Sequence, residues 1–274
     1  MEKRYVEVAV ISDVHLGTYG CHAKELNQYL KSINPRILIL NGDIIDIWQL
    51  SKNYFPADHF KVIRRILKLM TSGTQVYYIT GNHDEFLRKF NDLHLGNFRI
   101  LNQLTLRINN ENIWFIHGDV FDASINHAKW LAKLGGKGYD YLIVVNRWIN
   151  KFLKTIGREK VSISQKVKNR VKKASMHISN FENQVGDFAL KNNYQYVVCG
   201  HIHEPVIKKL NHNDKTINYL NSGDWVENLT SLEYNLSKWT LYKHQLDNEA
   251  HDDIEEDLEY SDFNIQSILN KLAS

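Results

Sequence analysis

Five times in this chain a short apolar run ends on residues of the metal-binding types. Val8-Ala9-Val10-Ile11-Ser12 runs into Asp13-Val14-His15, and Ile37-Leu38-Ile39-Leu40 into Asn41-Gly42-Asp43. Val76-Tyr77-Tyr78-Ile79 leads to Gly81-Asn82-His83-Asp84, and Ile113-Trp114-Phe115-Ile116 to His117-Gly118-Asp119. Tyr196-Val197-Val198-Cys199 leads to Gly200-His201-Ile202-His203. The runs have the length and the β-branched or aromatic content of strands, and their near-continuous apolarity is that of strands buried on both faces. In an open α/β sheet the functional site lies beyond the carboxyl ends of the strands. The pattern therefore predicts one sheet edge rich in Asp, His and Asn.

Between the runs, apolar residues fall at helical spacing. Leu26, Tyr29, Leu30 and Ile33 predict a helix over 22–33 that Asn34-Pro35 stops. Phe60, Ile63, Ile66, Leu67 and Met70 predict an inward face on a second helix over 57–72, with Ser72-Gly73 as its stop. Strand, helix, strand, helix, strand implies parallel crossover units. From Phe98 to Ile116, and again from Thr216 to Leu241, strands follow one another, with Asn109-Asn110 as a turn. Two packed sheets with helices outside is the expected α/β architecture.

Residues 123–190 break this rhythm. They carry 13 Lys or Arg and 4 Asp or Glu, whereas residues 247–274 carry 9 acidic residues and 1 Lys. We expect a core of 1–122 and 191–244, a basic helical cap inserted at 123–190, and an acidic tail at 245–274. Lys166, Lys168, Arg170, Lys172 and Lys173 on the cap suit phosphate or lipid headgroups at a membrane surface. A solvated charge face is the plainer reading of the same residues, and a single basic patch without a nucleic-acid-binding motif argues against nucleic acid. No apolar stretch nears the roughly 18–20 residues that span a bilayer. Met1 to Tyr5 leads straight into the first strand, and the only two cysteines, Cys21 and Cys199, form no framework, so a cytoplasmic protein is expected.

The clusters carry the chemistry. Asp13 and His15, two residues apart, are expected to share a strand face and chelate one ion, as are His201 and His203. Asp43 and Asn82 add oxygen donors and His117 a nitrogen. This mixed set suits Mn²⁺, Fe or Zn²⁺. Seven donors exceed one ion's needs and suit two bridged by a carboxylate, with Asp43 as the best bridge. Paired metals at about 3.5–4 Å activate water for displacement at phosphorus. His83, beside Asn82, is then placed to protonate the leaving oxygen, with Asp84 to orient it.

Asp13-x-His15, Gly42-Asp43-x-x-Asp46, Gly81-Asn82-His83-Asp84, His117-Gly118-Asp119 and Gly200-His201-x-His203, in this order, resemble the calcineurin-like metallophosphoesterase family over about residues 6–244. The resemblance implies a four-layer α/β/β/α sandwich. It implies that Asp13, His15, Asp43 and His203 hold one metal, and Asp43, Asn82, His117 and His201 the other. Ser12-Asp13-Val14-His15-Leu16-Gly17, Asp46-Ile47-Trp48 and the basic insertion look most like the UDP-2,3-diacylglucosamine hydrolases. Those enzymes are manganese-dependent and release UMP and an acylated sugar phosphate at the cytoplasmic membrane face. That resemblance implies a lipid-linked nucleotide substrate, and Asn82, His83 and Lys173 are the residues expected to contact it. Their best-known branch has Arg where this chain has His83. That difference keeps open a phosphoesterase of another substrate (a nucleotide, a phosphomonoester or a phosphoprotein) and, in a different class, a non-catalytic metal-binding interaction module.

Overall fold

The computed structural model describes residues 3–50, 54–122, 163–212 and 215–245, without the side chains of 49–50, 163–175 and 212. The chain divides into two compact units, 1–117 with 189–274, and 118–188.

The first unit holds two sheets. The seven-stranded sheet runs β12-β11-β1-β2-β3-β5-β4, from β1 (Arg4–Ile11), β2 (Ile33–Asn41), β3 (Gln75–Ile79), β4 (His94–Leu95), β5 (Phe98–Leu101), β11 (Thr230–Asn235) and β12 (Lys238–Lys243). Strands β1, β2, β3 and β5 are parallel; helix α1 (Ala23–Ser32) joins β1 to β2, and α2 (Ile47–Leu50) and α3 (Ala57–Thr71) join β2 to β3. The five-stranded sheet runs β6-β7-β8-β10-β9, from β6 (Leu104–Ile108), β7 (Glu111–Phe115), β8 (Tyr196–Cys199), β9 (Val206–His212) and β10 (Lys215–Asn221).

Strand alternation sorts the apolar residues into layers. Val8, Val10, Ile37, Ile39 and Ile79 face Ile113, Phe115, Val198 and Leu220 in the core between the sheets. The opposite face of the first sheet, with Ala9, Ile11, Leu38, Leu40, Val76 and Tyr78, packs on Leu26, Tyr29 and Leu30 of α1 and Val62, Ile66 and Leu69 of α3. Trp114, Val197 and Tyr219, on the outer face of the second sheet, are buried as well. The fold class is the expected α/β sandwich, with the five clusters divided between two sheets rather than gathered on one. Clusters one to three end strands of the first sheet, and clusters four and five end β7 and β8 of the second.

Helix α1 ends at Ser32, ahead of the expected Asn34-Pro35 stop, and those two residues lie inside β2. There the strand has one partner only, since β3 first pairs at Ile37, and a proline without an N–H is tolerated on such an open flank. Thr74 Oγ1 donates to the Pro35 carbonyl at 2.8 Å, so that flank is not left bare. On α3 the buried face is His59, Val62, Arg65, Ile66 and Leu69, while Leu67, expected inward, is 52% exposed.

In the second unit, a 3₁₀ turn (Asp119–Phe121) follows Gly118, and His177 Nε2 lies 3.0 Å from Asp122 Oδ1. A long helix, α4 (Ile163–Lys191), follows in the chain. Along it Phe181 and Val185 are buried, whereas Met176 is exposed. Most of the expected cap, 123–162, and the tail from 246 lie outside the described residues, as do the side chains of Lys166, Lys168, Arg170, Lys172 and Lys173.

Candidate metal centre

Strand β1 ends at Ile11, so Asp13 and His15 do not share a face through strand alternation, as the spacing suggests. They share it because both take left-handed backbone, at φ 51° and 54°. Asp43 (φ 54°), His201 (φ 70°) and His203 (φ 54°) do the same. Such conformations cost about 1–3 kcal/mol each for residues with a side chain and gather at functional sites, held by the surrounding bonds. Those bonds are present. Asp13 N–H donates to the Gly42 carbonyl, and Val14 and His15 N–H both donate to the Asp43 carbonyl, each at 3.0 Å. The loops after β1 and β2 stay zipped as far as Leu16 and Asp46. His201 N–H donates to the Asp13 carboxylate at 3.0 Å, and His83 N–H to Asp43 Oδ1 at 2.8 Å.

Close approach explains two of the glycines. A Cβ on Gly81 would collide with Asp43 Oδ1 and stand 2.8 Å from His117 Cδ2. One on Gly200 would lie 2.5 Å from Asp13 Oδ2. The glycines thus leave room for a carboxylate each, Gly81 for Asp43 and Gly200 for Asp13.

Three donor groups result, each with its ligand atoms within 4.8 Å of one another: Asp13, His15 and His203; Asp43, His117 and His201; and His15, Asp43 and His83. His203 Nε2 lies 3.2 Å from Asp13 Oδ1, and His117 Nε2 3.2 Å from Asp43 Oδ2. His117 Nδ1 lies 2.9 Å from the Asn41 carbonyl oxygen, which fixes the proton there and leaves Nε2 as the donor facing Asp43. Asn82 Oδ1 is buried with no hydrogen-bond partner among the described residues. A buried carbonyl oxygen left without a hydrogen bond suits a cation ligand, so the donor set fits divalent metal.

His83 is held differently from the sequence expectation. Its Nδ1 lies 2.9 Å from Asp46 Oδ2, and Asp46 Oδ2 also stands 3.6 Å from His15 Nδ1. Asp84 is not the orienting group. It is fully buried and accepts hydrogen bonds from Tyr78 Oη (2.6 Å), Gly81 N–H (2.6 Å) and Ile44 N–H (3.0 Å), so it ties the second and third site loops together. The sequence signal for Asp46 was its place in Gly-Asp-x-x-Asp. Trp48, 42% exposed, packs against His83 at 4.7 Å between ring centroids.

The electrostatics follow from burial opposed by neighbours. Burial alone would raise the Asp43 pKa, but the charges of His117, His83 and His15 hold it well below the usual carboxylate range. Asp13 is lowered likewise, burial being outweighed by His117 and His203. Asp46 is drawn down to about 2 against its own burial by His15 and His83. Burial would lower His83, but the hydrogen bond to Asp46 and the charge of Asp43 raise it, favouring imidazolium. Asp84 is raised, first by burial and then by Asp43.

The structure thus brings together Asp13, His15, Asp43, His117, His201, His203 and His83, with Asn82 buried in the same loop as His83. Lys173 lies in α4, its side chain outside the described residues.

Comparison with known proteins agrees with this chemistry. The family model for calcineurin-like phosphoesterases matches residues 6–205. A UDP-2,3-diacylglucosamine hydrolase of Blochmanniella pennsylvanica (strain BPEN) is 23% identical, over 77% of this chain and 85% of its own. One from Aliivibrio fischeri (strain MJ11) is 21% identical, over 86% and 98%. A solved archaeal phosphodiesterase covers 86% of this chain and 98% of its own, at 12% identity and a TM-score of 0.41. With a match that takes in all five ordered clusters, this chain belongs to the calcineurin-like phosphoesterase family and is a metal-dependent phosphoesterase.

Proposed function

We propose that this phosphoesterase cleaves the pyrophosphate of a UDP-linked, diacylated glucosamine with water, giving UMP and the acylated sugar 1-phosphate. The observation that carries the reading is the full donor set at the sheet ends, in a chain whose relatives named for that hydrolysis match it over 85% and 98% of their own length. Two divalent ions, Mn²⁺ first, held by Asp13, His15, Asp43 and His203 and by Asp43, Asn82, His117 and His201, would supply Lewis acidity and an acidified water. Asp43 serves both sides. The His83 ring, held at Nδ1 by Asp46, offers its other nitrogen as a proton donor to the leaving oxygen. In this reading the basic segment 123–190 is a cap that receives the anionic, acylated substrate at the cytoplasmic membrane face, with Lys173 among its phosphate contacts. No described helix is long and apolar enough to cross a membrane. The test is UMP release from UDP-2,3-diacylglucosamine with Mn²⁺. No UMP from a preparation that turns over bis-p-nitrophenyl phosphate ends the substrate claim and leaves the reaction class standing.

The His83–Asp46 pair favours a second reading within the same class. A phosphate leaving group departs with little help from a proton, whereas an alkoxide needs one. A histidine held in its charged form therefore suits phosphoesters of alcohols. Under this reading His83→Gln slows alkyl phosphodiesters far more than aryl ones. Equal slowing of both removes the argument.

A further inference from the structure

The loop between β10 and β11 supplies none of the seven donors, yet it bonds to the segments that carry them. Asn221 Nδ2 donates to the Gly200 carbonyl at 2.7 Å, and Trp225 N–H to the Asp13 carbonyl at 3.1 Å. The hydroxyls of Ser222 and Ser12 share a hydrogen bond of 2.7 Å. At the centre of the loop is Asp224, with no exposed surface. Its Oδ1 accepts the N–H groups of Val226 (2.8 Å), Glu227 (2.5 Å) and Asn228 (3.2 Å). Its Oδ2 accepts Asn228 Nδ2 at 2.6 Å and stands 3.9 Å from His203 Nδ1. Asn228 Nδ2 also donates to the His203 carbonyl at 2.9 Å. The far nitrogen of the same ring, His203 Nε2, points to Asp13 Oδ1 at 3.2 Å.

Oδ1 alone closes the turn, since it takes all three backbone donors. Oδ2 is left to hold the Asn228 amide, which holds the His203 carbonyl in turn. We propose that Asp224 is the positioning residue for His203. Through the Asn228 amide it fixes the His203 main chain, and with it the place from which the imidazole reaches the ion. The ligand histidines then differ in their outer partners. His117 uses the neutral Asn41 carbonyl and His15 stands near Asp46, whereas His203 is held at its carbonyl by Asn228, itself held by Asp224, from a loop with no ligand of its own.

This inference rests on the metal-centre reading and not on the substrate. Its test is Mn²⁺ affinity measured by calorimetry and electron paramagnetic resonance without substrate, on wild type and Asp224→Asn, together with thermal unfolding of the metal-free proteins. Loss of an outer partner typically weakens metal affinity about 10- to 100-fold, and that loss is expected here with unfolding of the metal-free protein unchanged. Unchanged affinity, or a loss that follows only from a destabilised fold, would overturn the proposal. Should Asp224→Asn not fold, Asn228→Ala keeps the three backbone bonds to Oδ1 while releasing Oδ2 and the His203 carbonyl. A loss of up to about tenfold is then expected, and unchanged affinity overturns the proposal equally. A chain that binds Mn²⁺ in this way but releases no UMP would leave this inference intact while ending the substrate claim.

Discussion

At one end of the centre the side chains of His117 and Asp43 are 0% and 3% exposed, whereas at the other those of His83 and His203 are 28% and 34% exposed. The buried end is fixed by main chain and glycine. His117 Nδ1 meets a backbone carbonyl, Asp43 accepts from the His83 N–H, and Gly81 leaves the space where Asp43 sits. The open end is fixed by carboxylates, with Asp46 beside His83 and His15 and Asp224 beside His203. Rigid packing around the deeper donors suits permanent ligands, since a buried donor cannot be re-solvated if the geometry slips. Partial exposure with a charged partner suits groups that meet substrate and move protons.

Substitutions at the buried end should have the largest effects. Asp43→Ala removes the carboxylate that would serve both ions, and turnover of bis-p-nitrophenyl phosphate should fall by roughly 10³-fold, the scale of losing a main electrostatic stabiliser. Retained turnover would show that the deeper end is dispensable. Gly81→Ala leaves every donor in the sequence but drives a methyl into Asp43. Misplacement on this scale costs about 10²-fold, read as lost kcat and lost Mn²⁺ binding in a folded protein.

At the open end the effects should be smaller and pH-dependent. Asp46 raises the His83 pKa against its burial, so the protonated donor persists to higher pH than an ordinary histidine would allow. Activity that needs this proton falls as pH rises through the raised value. In Asp46→Asn the alkaline limb of the rate profile should therefore move to lower pH, with kcat down by roughly 10²-fold if proton donation is lost. An unmoved limb would separate His83 from proton transfer. The smallest effect is on metal-free stability. Asp46, lowered from 3.8 to about 2, contributes stability that is present above pH 3.8 and lost as pH falls through about 2. By linkage this is about 2 kcal/mol, so denaturant unfolding of the metal-free wild type between pH 5 and pH 2 should lose that much more than Asp46→Asn does.

The deeper end was the more legible in sequence. Buried parallel strands write themselves as unbroken apolar runs, and a ligand at a strand end falls at a fixed place after its run, as Asp43 and His117 do. The helices α1 and α3 were equally plain from period 3.6, although the face of α3 was rotated, because the buried His59 and Arg65 count as polar in any such pattern. Spacing pairs Asp13 with His15 through strand alternation, but left-handed backbone aims them together, and the preference of Asp and His for that conformation is too mild to announce it. The carboxylates of the open end were harder still. Asp84 is adjacent to His83 in sequence and looked like its partner, yet Asp46 arrives from another loop. Asp224 sits in no recognised motif, and only the β10–β11 loop's return to Asp13 and Gly200 brings it near a ligand. Outer partners come from long-range pairing, which local spacing does not encode.

The central claim is a two-metal centre shared through Asp43. The most direct measurement is anomalous diffraction at the manganese edge from crystals of the Mn²⁺-loaded protein. Two peaks flanking the Asp43 carboxylate are expected, one bounded by Asp13, His15 and His203 and the other by Asn82, His117 and His201. A single peak, or two that do not share Asp43, would contradict it.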